Sequence, residues 1–372
     1  VPAASETRVR NPSEARLPVL VVWYAWVRFG SGPNSIQDHI PSSAIVEIDT
    51  LRVTNAVGQV LWRHRFAYPF RASSNTGTYD TPPTILFQDL DADGAYETLV
   101  RAVYETPRQG DSAVYCFNQD GTLRWTYRFG GRTEFGGVPY GGPYLPYRLF
   151  TTLSPEDPGH SALWVANVHG QLFPSVLQRI DPGTGAASGE YWSNGYIDAL
   201  RLTSIGARQV LLVGAANNES KGASLAVLDA TRFSGSAPAA TAEYQCTKSP
   251  PGSPLAFILF PKPLRFAALD YTSGVHRLDI ATDEITVGVQ HASAPEGGAT
   301  AVAFYQLDSD LRPVGASLGD GYAATAAALA RALLIPPAPA GPIEPDQELF
   351  PLMRWTGTGY APLMRASPPE CP

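Results

Sequence analysis

NAVGQVLWRHRF, residues 55–66, aligns without a gap on NQDGTLRWTYRF, residues 118–129. Asn55, Gly58, Trp62, Arg65 and Phe66 thus return as Asn118, Gly121, Trp125, Arg128 and Phe129, every one at an offset of 63 residues. Each copy reads as a strand, a tight turn closed by glycine, and a second strand with an aromatic at a fixed place. One period further on, Asp181 to Gly185 followed by Tyr191 and Trp192 is a looser third copy. A repeat of this length is about one propeller blade of four antiparallel strands, which predicts an all-β protein, a β-propeller.

With that template the rest of the chain becomes legible. An inner hairpin over 85–105 corresponds to 148–168, 197–216 and 275–291, and outer hairpins return at 222–236 and 300–318. This makes five readable repeats, with six or seven blades as alternatives and 253–273 left over. Residues 1–16 read as a polar arm and 17–364 as one propeller domain. Alanine-rich 321–334 is the one clear helix, with Asp320 as its expected cap. Proline-rich 335–347 reads as a linker, 349–363 as the strand that closes the ring against 17–29, and 365–372 as a tail.

Composition agrees with strands and turns: glycine and proline number 34 each, and 44% of residues are hydrophobic. A net charge of −7 argues against nucleic acid or an anionic membrane as partner. No run is long enough to span a bilayer, the longest being 17–27. Lysine stands only at 221, 248 and 262 among 27 basic residues, a bias that, with abundant alanine, reads as a GC-rich bacterial genome. The chain starts at Val1, which suggests a processed protein or an excised domain. Cys116, Cys246 and Cys371 form no CxxC pair, leaving either one bridge and a thiol or three thiols.

The stretch with the most chemistry is DLDADGAYE, residues 89–97, set between two apolar runs. Acidic side chains recur at its first, third, fifth and ninth positions, and glycine at the sixth. The carboxylates of Asp89, Asp91, Asp93 and Glu97, with the Ala95 carbonyl, can converge on a hard cation while Gly94 permits the sharp turn. An EF-hand would need its last carboxylate at position 100, which is Val100, so the expected object is a calcium-type loop within a β-hairpin. The competing reading is a plain Asp-Gly turn with solvated acids.

This acidic loop, followed by VYCFNQDGTLRW at 114–125, resembles the FG-GAP/VCBS type of repeat found in integrin-α-like propellers. The resemblance implies one structural Ca2+ on Asp89, Asp91, Asp93, Ala95 and Glu97, and a scaffold for recognition of a protein or glycan partner with no fixed activity. Members often carry several such loops; here the other repeats keep the turn and lose the acids. Millimolar calcium outside the cytosol favours an extracytoplasmic location. A ligand-sensing module cut from a larger bacterial protein is compatible with the same features.

Other candidates weigh less. Gly315, Ser317 and Gly319 form a GxSxG, but no histidine follows His291 to serve as base. Trp62, Trp125 and Trp192 could mark quinone-cofactor blades, yet packing between blades explains them without a cofactor. The segment 130–150 mixes glycines with Arg132, Glu134, Phe135, Tyr140, Tyr144 and Tyr147, and is the expected binding surface of a non-catalytic propeller. The alternative is an enzyme, hydrolytic or quinone-dependent, with its site in the central channel. That requires acids and histidines gathered at the channel mouth, and the sequence displays no such cluster.

Overall fold

The computed structural model describes residues 39–69, 85–157, 160–282, 284–295, 297–336 and 344–365. The arm 1–16, the strand expected at 17–29, and Cys371 lie outside them.

Antiparallel sheets follow one another along the chain as blades. Blade 1 is β1 (Ser43–Glu47), β2 (Thr50–Thr54) and β3 (Val60–Arg65), and blade 2 is β4 (Ile85–Gln88), β5 (Glu97–Ala102), β6 (Ala113–Phe117) and β7 (Leu123–Tyr127). A small hairpin, β8 (Thr133–Phe135) and β9 (Val138–Tyr140), precedes blade 3, which is β10 (Tyr144–Leu153), β11 (Ser161–His169), β12 (Ser175–Ile180) and β13 (Ala187–Ser193). Blade 4 contains β14 (Ile197–Ile205), β15 (Arg208–Asn217) and β16 (Gly222–Asp229). The chain then returns to blade 3 as β17 (Ser234–Ser236), parallel to β13, before β18 (Ala256–Phe260) completes blade 4 beside β16. Blade 5 is β19 (Gly274–Ile280), β20 (Glu284–Ser293), β21 (Thr300–Asp308) and β22 (Pro313–Leu318). Two helices, α1 (Gly321–Arg331) and α2 (Pro345–Leu349), precede β23 (Met353–Trp355) and β24 (Tyr360–Pro362). Among the described residues no helix is long and apolar enough to cross a membrane. The architecture is that of a β-propeller, and the described residues are all-β apart from these helices and three short 3-10 turns.

The aligned turns match in detail. Gly58 and Gly121 both sit at φ 84°, each donating its N–H to the carbonyl of the asparagine three residues earlier. The core lies between blades, and this explains why middle strands such as β11 and β16 are apolar on both faces. Leu51, Trp62 and Phe117 join blades 1 and 2, and Leu99, Trp125 and Leu163 join blades 2 and 3. Trp164, Leu211 and Phe257 join blades 3 and 4, and Leu212, Ile258 and Val287 join blades 4 and 5. Tryptophan is the recurring wedge: Trp125 Nε1 donates to the Pro182 carbonyl of the next blade at 2.8 Å.

Several expectations need correction. Residues 253–273 are not left over, since 256–260 supplies the fourth strand of blade 4; the expected second strand of the 222–236 hairpin instead pairs with blade 3. The late strand at 353–355 adds to the free edge of β18 through Ile258–Arg354 and Leu259–Met353; its expected partner 17–29 lies outside the described residues. Asp320 makes no side-chain cap, because its backbone is already helical and the Tyr322 N–H bonds back to the Gly319 carbonyl. The short helix α2 starts within the expected linker, with proline in its first turn, where the missing N–H is harmless. Ser317 lies in β22 opposite Phe304, within a regular antiparallel ladder and not on a nucleophile elbow.

Candidate functional site

The acidic loop connects β4 to β5 in blade 2. Leu90, fully buried in the core between blades 2 and 3, anchors its start. Positive φ at Ala92 and Gly94 turns the chain back, and the Gly94 N–H donates to Asp89 Oδ2 at 3.1 Å. One carboxylate oxygen each from Asp89, Asp91 and Glu97 lies within 4.8 Å of the others. Glu97, 1% exposed, accepts from the Leu90 N–H at 3.0 Å. Burial raises its pKa above the ordinary carboxylate value, and the charges of Asp91 and Asp93 add to this. Arg124 of β7 opposes them, with Nη1 3.0 Å from Asp91 Oδ2 and Nη2 3.3 Å from Glu97 Oε1.

One arginine cannot balance three clustered carboxylates. Asp89 Oδ1 and Asp91 Oδ1 are buried and find no hydrogen-bond donor among the described residues. Buried, unpartnered anionic oxygens are costly, and an all-oxygen set of this kind suits a hard cation such as Ca2+. The residues present therefore fit the group that the sequence pattern implies. Of the four expected carboxylates, Asp93 is not among the convergent three. Asp93 is exposed and its Oδ1 accepts the Ala95 N–H at 2.7 Å, while Ala95 lines the adjoining concavity with Glu97 and Arg124.

The segment 130–150 divides. Phe135 and Tyr144 are buried in an aromatic cluster with Trp192, Tyr140 and Phe173 packing at its side. Glu134 is pinned by Lys248 and by the Thr247 hydroxyl, fastening the β8–β9 hairpin to 246–248. Arg132 is exposed. Tyr147 of this set lines a large concavity.

That concavity, about 480 Å³, lies where blades 3, 4 and 5 meet, and its wall includes Tyr147, Tyr196, Asp198, Tyr271, His276 and Gln290. The first strand of each of these blades carries a β-bulge at an equivalent place. The register skips Tyr147 between Pro146 and Arg148, Asp198 between Ile197 and Ala199, and His276 between Val275 and Arg277. Bulges re-aim a side chain out of the ladder, and here three of them deliver a phenol, a carboxylate and an imidazole to one space. The buried Arg101 steadies the first bulge by donating to the Pro146 carbonyl at 3.3 Å. Arg148 holds Asp198 Oδ1 through Nε and Nη2 at 3.0 and 2.9 Å. The fold thus brings Asp198 and His276, 78 residues apart in sequence, to one cavity wall. The aligned inner hairpins place Asp198 and His276 at the start of their copies and Tyr147 one residue ahead of 148–168, but nothing local in the sequence marks the three as neighbours.

No family model matches the chain, and no curated protein matches it. Among solved structures it is similar to BamB from Moraxella catarrhalis, at 12% identity over 75% of this chain and 62% of that one, with a TM-score of 0.33. It is also similar to the Dos1 propeller, at 11% identity over 76% of this chain and 66% of that one, TM-score 0.34. Hydrazine synthase from Kuenenia stuttgartiensis is similar at 12% identity over 77% and 68%, TM-score 0.37. The chain thus spans less than two thirds of the BamB length. At these identities and scores the likeness extends to no activity, ligand or partner of those proteins.

Proposed function

We propose that this chain is a calcium-binding, non-catalytic β-propeller that serves a bacterial protein as a recognition or ligand-sensing module for a protein or glycan partner. The observation that carries the metal half is the pair of buried, unpartnered oxygens, Asp89 Oδ1 and Asp91 Oδ1, beside the buried Glu97. The likeness of 89–97 to FG-GAP/VCBS repeats supports the same reading, and calcium at millimolar levels favours an extracytoplasmic setting. Asp89, Asp91 and Glu97 would hold the ion, with Asp93 and Ala95 at the open side. The ion would neutralise the loop and clamp the inner hairpin of blade 2.

The test is thermal melting of the full chain in calcium and in chelator, beside Asp91→Ala. Calcium at a hundredfold its dissociation constant adds about 2.7 kcal/mol, so melting should rise by several degrees in wild type and much less in the variant. Equal melting points in calcium and chelator would show a plain turn.

An enzyme with its site in the channel is the second reading, favoured by Asp198 and His276 sharing one cavity. It stands second because Arg148 engages Asp198 Oδ1 through two nitrogens and the other acid on the wall, Asp270, is exposed and paired with Lys221. No closely spaced carboxylate pair is left for acid–base work among the described wall residues.

A further inference from the structure

We propose that the cavity between blades 3, 4 and 5 is a binding site for a neutral saccharide, built by the three bulges that present Tyr147, Asp198 and His276. This deepens the recognition reading by naming a ligand class, and it rests on that reading for its biological sense; the metal loop is on another blade and plays no part.

Three equivalent bulges on three successive inner strands are not needed to close a blade. Each interrupts its ladder just where the strand meets the cavity, and each skipped residue is a polar group on the wall. The charges decide the class of ligand. Asp198 is matched by Arg148 at 2.9 Å, and Asp270 by Lys221 at 3.4 Å. The protein packed around His276 holds its imidazole below the ordinary histidine value despite the attraction of Asp198, which disfavours the charged ring. The carboxylates on the wall already have counter-ions, which leaves no net charge to recruit an anion or a metal.

What remains is aromatic surface beside fixed hydrogen-bonding groups. The rings of Tyr147 and Tyr196 stand 5.7 Å apart and tilted, making an apolar wall with polar tips. Opposite chemistry comes from amides and hydroxyls held in place before any ligand arrives. Gln290 Nε2 donates to the Tyr271 hydroxyl at 3.3 Å, and the Thr272 hydroxyl to Asn218 Oδ1 at 3.3 Å. Sugar rings offer C–H faces to aromatics and hydroxyls to amides and carboxylates. A volume near 480 Å³ falls within the range of about 300–1,000 Å³ of small-ligand pockets and takes a short saccharide.

The experiment screens the full chain against immobilised neutral oligosaccharides, with uronate-containing and sulfated counterparts alongside. The best neutral glycan is then titrated by calorimetry into wild type, Tyr147→Ala and Gln290→Ala, each checked by melting. The expected result is binding of neutral glycans, at least tenfold weaker in Tyr147→Ala and weaker in Gln290→Ala, with the melting point of the half-buried Gln290 variant unchanged. Binding of no glycan, preference for the acidic counterparts, or undiminished affinity in both folded variants would overturn the site and leave the calcium reading standing. Cleavage of the bound glycan would uphold the saccharide site and overturn the non-catalytic reading instead.

Discussion

Trp62 of blade 1 packs directly against Gly121 of blade 2: a Cβ built on that glycine would stand 2.5 Å from Trp62 Cγ. Trp125 repeats the relation with Gly185 of blade 3, at 2.8 Å from the ring to the missing Cβ. The conserved spacing within the repeat therefore encodes a contact between repeats. Each turn glycine serves its own hairpin through positive φ and its neighbour through absence of a side chain.

Comparing Gly121→Ala with Gly58→Ala separates those two roles. Both glycines sit at φ 84°, yet a Cβ on Gly58 meets nothing within 4 Å. Gly58→Ala should cost backbone strain alone, of order 1–2 kcal/mol. Gly121→Ala should add an overpacking cost of about 1–3 kcal/mol against the indole. Denaturant unfolding reads the difference; equal costs would mean that the blades do not meet through Trp62.

His291 supplies a pH dependence with a defined sign. It is fully buried, its Nδ1 3.0 Å from the Ser273 hydroxyl and its Nε2 3.3 Å from the Tyr305 hydroxyl. Burial, reinforced by the charge of Lys262, pushes its pKa down to about 3 from the ordinary 6.5. The folded state thus holds a neutral ring that the unfolded state protonates below pH 6.5. Its contribution is present above that value and is lost as pH falls from 6.5 towards 3, at up to about 1.4 kcal/mol per pH unit. In His291→Gln, stability measured between pH 7 and 4.5 should fall less steeply than in wild type; identical slopes would contradict the buried neutral imidazole.

The sequence disclosed the repeat because turn chemistry is local: asparagine, glycine and tryptophan at fixed spacing specify a hairpin and its wedge without reference to the rest of the chain. It also disclosed the acids of 89–97, since a metal loop draws its ligands from one short run. It was silent wherever distant segments meet. The fourth strand of blade 4 arrives after a detour through 230–255, so the period fails there. Phe135 and Tyr144 looked like display residues because a glycine-rich context does not reveal which way an aromatic points; the cluster around Trp192 decides that. Tyr147, Asp198 and His276 come together only because three strands, each from a different blade, reach one space.

Calorimetric titration of Ca2+ into metal-free protein tests the acidic loop of blade 2 most directly. We predict one site per chain in wild type and no measurable heat in Asp89→Asn/Asp91→Asn, the variant that removes both unpartnered anionic oxygens. Absence of binding by wild type, or the same single site in the double variant, would contradict the calcium-clamped propeller.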